Sequence, residues 1–267
     1  MRKSVLLPAA AVAGGVVGLV VRRVYLANGF EAGTGLPIAG APSLWAMAIV
    51  TVVVLGLLVA LSCGKHKNYT QCYTGAFYSE HTVCIAGMLA GAVLLGVGGF
   101  LALANWFSSP SLGLMEKPLR RELSVTWLYL GIFCLLAAAG IYFVTQKMRR
   151  KEPILTAWAA MPTLAGCLWV VANYYDHWAE EPVLGQYAIP MLATGLSMLG
   201  CMMIGAMGFD KARVSTTLAF SLSGASVCIM ALADGLNWAN TAILLGMVFY
   251  QLSMASALIA NDDRAPG

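Results

Sequence analysis

Apolar residues along this chain neither alternate with polar ones nor recur at the spacing of one helix face; they run on unbroken. Eight uncharged stretches stand out: Ser4–Val21, Ser43–Cys63, Val83–Trp106, Ser124–Gln146, Pro153–Tyr175, Tyr187–Phe209, Val214–Ala233 and Asn240–Ala260. A helix rising 1.5 Å per residue needs roughly 17 to 25 residues to cross about 30 Å of hydrocarbon, and each stretch reaches that length. Backbone amides in lipid must be bonded internally, which leaves helices or a closed barrel. Barrel strands show about ten residues of alternating polarity, a pattern missing here. The pattern therefore predicts an all-α, polytopic integral membrane protein with eight transmembrane helices.

Composition agrees. Of 267 residues, 60% are hydrophobic and 10% charged, against about 25% charged in a soluble domain. Too little polar surface exists to cover a water-soluble particle. The connections are short, so residues 1–267 read as a single membrane domain.

The formal charge of +4 does not point to nucleic acid, because the basic residues lie in the loops, where they set orientation. Dealing the loops out alternately puts Arg2, Lys3, Lys65, Lys67, Lys147, Arg149, Arg150, Lys151, Lys211, Arg213 and Arg264 on one side. Arg22, Arg23, Lys117, Arg120 and Arg121 fall on the other. Lys and Arg favour the cytoplasmic side, so both termini are expected there. The weakest point is the segment 115–122, which puts three basic residues outside and reads as a short amphipathic surface segment. A rival for the N-terminus is a cleaved signal peptide, with Arg2 and Lys3 as its basic start. The apolar run continues to Val21, beyond the usual length of such a segment, which favours a retained helix.

A shift of 145 residues aligns Pro8 with Pro153, Ala27-Asn28 with Ala172-Asn173, Pro37 with Pro182 and Gly40 with Gly185. Four helices per unit preserve orientation, so this suggests a parallel 4+4 duplication with halves 1–146 and 147–267. The plainer reading is that Pro and Asn recur at helix ends.

Polar residues that are costly in a membrane gather at the outer ends of the odd-numbered helices. Arg22, Arg23, Glu31, Asn173, Asp176 and Asp234 form the candidate solute-binding set. The alternatives for the arginines are snorkelling to headgroups and a simple ion pair with Asp176 or Asp234. A second candidate is the loop carrying Cys63, His66, His81 and Cys84. Cys and His are the ligands of tetrahedral zinc, although the order of residues is not that of a standard finger, and the plain alternative is a polar loop with two histidines.

Phosphate-loop, HExxH and GxSxG patterns are missing, so no catalytic residues are expected and an enzyme is disfavoured. The three histidines, His66, His81 and His177, lie at or beyond helix ends, which disfavours haem within the bilayer; no cofactor is expected. The segment from Arg22-Arg23 through Thr34-Gly35-Leu36-Pro37 to Gly40-Ala41-Pro42 resembles multi-pass bacterial membrane proteins of no assigned function. The resemblance covers about twenty residues, brings no site with it, and nothing is transferred from it; the expected location is the cell membrane of a bacterium. Two functions remain: a small-solute permease or transport-related protein with an outward-facing polar pocket, or a non-catalytic anchor or assembly subunit. The partners expected are the lipid bilayer, a small-molecule solute, and a protein partner or second copy.

Overall fold

The computed structural model describes residues 3–31, 36–38, 40–64, 73–79, 81–108, 118–150, 152, 156–175, 184–209 and 213–262. Among these residues the protein is all-helical, apart from one isolated bridge between Phe30 and Pro37. The helices are α1 (Lys3–Asn28), α2 (Pro42–Ser62), α3 (Tyr73–Phe77), α4 (Thr82–Ser108), α5 (Pro118–Arg150), α6 (Thr156–Asn173), α7 (Leu184–Met207), α8 (Val214–Ala231) and α9 (Trp238–Asp262).

Seven of them are long and apolar enough to cross a membrane: α1, α2, α4, α5, α7, α8 and α9. The sequence predicts eight, and the difference is α6. Its 18 residues give a length of about 27 Å, and Thr156, Pro162, Trp158, Trp169 and Asn173 dilute its apolarity.

Close approaches give the helix directions. Gly14 faces Ser226, and Gly18 faces Met230. Farther along, Arg22 meets Asp234 across the same sequence separation of 212. A constant offset means that α1 and α8 run parallel, in register. By contrast, Gly87 faces Ser253 and Gly98 faces Ala239, so α4 and α9 are antiparallel. Gly99 against Cys134 and Thr145 against Met88 make α4 and α5 antiparallel. Gly140 against Met161 with Phe143 against Trp158, then Gly166 against Met198 and Gly205 against Ala159, show α6 running opposite to both α5 and α7.

In lipid, apolar side chains gain little by leaving the solvent, and close backbone contact between small residues takes over. A Cβ on Gly91 would stand 2.9 Å from the Gly246 carbonyl, and one on Gly246 would stand 2.9 Å from the Leu95 amide. The α4/α9 contact therefore requires glycine on both sides.

The core is α8 and α9. Their spans are 72% and 78% buried, against 22% for α1 and 17% for α2. Helix α8 packs on α1, α2, α7 and α9. Its counterpart by order in a 4+4 division, the third long helix of the first half, is α4, which packs chiefly on α5 and α9. The pairing is thus lopsided between the two halves.

The short α3 was not foreseen in a segment that reads as a polar loop. It rests on α9, where the Asn261 side chain donates to the carbonyls of Ala76 (2.8 Å) and Tyr78 (2.7 Å). Near that end Lys147 pairs with Glu152, and this bond, with the lysine's charge, holds the Glu152 carboxyl below the usual carboxylate range.

Candidate functional site

Arg22 lies near the end of α1, one turn before Tyr25, on the face turned towards α8. Its side chain is 1% exposed and that of Asp234 is 7% exposed. Nε donates to Asp234 Oδ1 at 3.0 Å and Nη2 to the same oxygen at 2.5 Å. Nη2 also donates to the backbone carbonyl of Gln186, in the first turn of α7. The guanidinium carbon stands 5.3 Å from the centre of the Tyr25 ring, within the range of a cation–π contact. Three helix ends are joined by one side chain.

Local geometry brings Asp234 there. After α8, residues Leu232–Asp234 tighten into a single 3-10 turn, and Gly235 follows at φ 64 in the left-handed region. That conformation costs glycine little and turns the chain into α9. Asp234 is left pointing back at α1 with one oxygen engaged. Its other oxygen, Oδ2, is buried with no hydrogen-bond partner among the described residues.

At the same end of the bundle lies a chain of amides. Trp169 Nε1 donates to Asn240 Oδ1 at 2.8 Å, and Asn240 Nδ2 donates to Asn173 Oδ1 at 3.0 Å. Asn173 Nδ2 returns to the Trp169 carbonyl at 3.0 Å. The Asn240 backbone amide is capped by Asn237 Oδ1 at 2.8 Å. The linker between α8 and α9 carries both polar groups: Asp234 sits at its start, and Asn237 three residues later.

Of the six residues in the sequence-derived solute set, Arg22 and Asp234 are brought together and Asn173 lies in the amide chain at the same end of the bundle. Arg23 follows Arg22 but is exposed, and Glu31 is exposed beyond the end of α1. Asp176 lies outside the described residues.

The cysteine and histidine set is placed as follows. Cys63 caps α2 and is exposed, while His81 stands just before α4. Cys84 is buried and donates its thiol to the Ser253 carbonyl at 2.9 Å. His66 lies outside the described residues. Among those described, no three His, Cys, Asp or Glu side chains cluster as metal ligands.

Sequence reasoning missed a polar node in the middle of the bundle. Gln251 of α9 is fully buried, and its Nε2 donates to the Ser197 carbonyl (2.7 Å) and hydroxyl (2.9 Å) on α7. The amide threads between Gly200 of α7 and Gly224 of α8, where a Cβ on Gly224 would stand 2.8 Å from Oε1. Oε1 itself, with the hydroxyls of Ser221, Ser223 and Ser226 on α8, is buried without a partner among the described residues. The signal was present, since Gln251 is a lone amide well inside the run Asn240–Ala260.

No protein-family model matches this chain, and neither a curated protein nor a solved structure does. The site's own chemistry must carry the functional reading.

Proposed function

We propose that this is a small-solute permease or transport-related protein of the bacterial plasma membrane, with its solute site in the outer polar layer around Asp234. The observation that carries the reading is the buried Oδ2 of Asp234, which has no donor among the described residues beside an arginine already committed to Oδ1. A buried acceptor without a partner is expensive. A solute bearing a hydroxyl or ammonium donor satisfies it, and the amide chain of Asn173 and Asn240 at the same end of the bundle adds polar groups to that layer.

The proposal includes eight crossings with both termini cytoplasmic. Support comes from the parallel register of α1 and α8. With α6 counted, five long helices lie between them and the two run the same way. Without it, four would, and they would run in opposite senses. Arg213, before α8, and Lys147, Arg149 and Arg150, in the last turn of α5, then share one end, as the preference of basic residues for the cytoplasm requires.

A second reading, a non-catalytic assembly subunit, is favoured by the way Arg22 is closed upon Asp234 and Gln186. Such a pair serves equally as a clamp. Thermal unfolding of the purified protein against a panel of small polar and cationic solutes separates the two. A ligand at 100 times its Kd stabilises by about 2.7 kcal/mol, and Asp234→Asn should abolish that response. Absence of any response across the panel, with a partner protein co-purifying stably, would overturn the transport reading.

A further inference from the structure

A cavity of about 730 Å³ opens on the side of the bundle at the end opposite Arg22. Its walls are α1 and α4 and its floor is α9; α1 packs on α2, α8 and α9, while α4 packs on α5 and α9, leaving a furrow between the two walls. At the rim stand Ser4, Ser79 and His81, along the floor Ser253 and Ser256, and at the deep end Val12, Ala90 and Phe249.

We infer that this furrow is a binding site for one acyl chain of an anionic phospholipid, its phosphate held at the Ser4/Ser79/His81 rim. Depth is the first argument. From Ala260 at the rim to Phe249 at the deep end is about 16 Å of helix, which matches the roughly 15 Å of one leaflet, half the hydrocarbon thickness. A transmembrane helix of a partner protein needs a seam running the full thickness, and this one stops at mid-membrane. Charge is the second argument. Arg2 and Lys3 immediately precede Ser4 in sequence, and Arg149 and Arg150 end α5 on the same side, where α5 runs antiparallel to α4; Lys147 beside them is already paired with Glu152. Basic rims of furrows between helices on the cytoplasmic side suit anionic headgroups. The furrow lies at the far end from the proposed solute site and does not depend on any solute binding there; its charge argument rests on the proposed cytoplasmic placement of the chain ends.

The test uses the full chain in phosphatidylcholine vesicles containing a trace of phosphatidylglycerol with a photoreactive diazirine at the end of one acyl chain. Labelling should concentrate on peptides bearing Val12, Ala90 and Phe249, and unlabelled phosphatidylglycerol should compete better than added phosphatidylcholine. Ala9→Trp and Ala86→Trp, at exposed wall positions, should fill the furrow and remove this labelling while the protein melts as before. Lys3→Ala should lower the preference for the anionic lipid about fivefold, the effect of losing one basic residue near an anionic surface. Labelling spread equally over the exposed face of α2, at Trp45 and Val52, would mean annular lipid only and overturn the inference. So would labelling unchanged by both tryptophans, or a co-purifying protein that shields the furrow. Competition on the unaltered protein decides the matter even if a tryptophan variant fails to fold.

Discussion

Arg22 Nε and Asp234 Oδ1 meet at 3.0 Å across 212 residues of sequence, at the end of a seam in which α1 and α8 stay in step from Gly14 and Ser226 onward. The ion pair is therefore the last contact of an interface whose register is set by glycines. Mutual neutralisation makes both charges tolerable inside the bundle, since a buried charge left without its partner is expensive.

Arg22→Ala and Asp234→Ala should each destabilise by about 3–5 kcal/mol, because each leaves a buried charge without its partner. The double variant should lose less than the sum. A double-mutant cycle read by reversible unfolding in detergent measures this, and additive losses would show that the two side chains do not interact.

Glycine substitutions should divide sharply by position. Gly91→Leu forces α4 from α9, where even a Cβ would lie 2.9 Å from the Gly246 carbonyl, and should cost about 1–3 kcal/mol or prevent folding. Gly56→Ala, in α2 with nothing within 4 Å of the added carbon, should be neutral or raise stability by up to about 1 kcal/mol. Melting temperatures of the two variants check the contrast.

Asn240→Ala removes the acceptor of Trp169 and the donor to Asn173. Hydrogen bonds between membrane helices average about 0.6 and reach about 1.7 kcal/mol, so a loss near the upper value is expected for two bonds. Trp169 emission should shift as its indole N–H loses its partner, relative to a Trp169→Phe reference. An unchanged spectrum would contradict the bond.

Cysteine accessibility reports on orientation. Cys63 is exposed at the end of α2, while Cys84, Cys134, Cys201 and Cys228 are buried. With both termini cytoplasmic, an impermeant maleimide should reach Cys63 in inside-out vesicles and not in intact cells. The four buried thiols should react only after denaturation. Labelling of Cys63 in intact cells would reverse the proposed topology.

Much of the fold was legible because lipid leaves a chain so few choices. Unbroken apolar runs can hide their amides only in helices, and the eight runs correspond to the eight long helices among the described residues, with boundaries shifted where α5 extends to Pro118 and Arg150. The length of α6 was legible too, but Pro162 and two tryptophans leave it less apolar than its neighbours. Helix pairing was not legible. Small residues occur on most faces, and only the tertiary arrangement tells which meet. For the same reason Arg22 had two acidic candidates in sequence; the folded chain shows Asp234 beside it, and Asp176 lies outside the described residues. Gln251 escaped notice because one amide hardly alters the polarity of a run of twenty residues, yet it crosses to Ser197 and ties α9 to α7.

The distance in sequence between Arg22 and Asp234 has a consequence in time. At about 5–20 residues per second, synthesis delivers α8 roughly ten to forty seconds after α1. Throughout that interval Arg22 is in the membrane without its carboxylate. Its place near the end of α1 allows the long side chain to reach the headgroups meanwhile. The first helix thus inserts as a provisional anchor, and is recruited into the finished bundle only when the seventh long helix arrives.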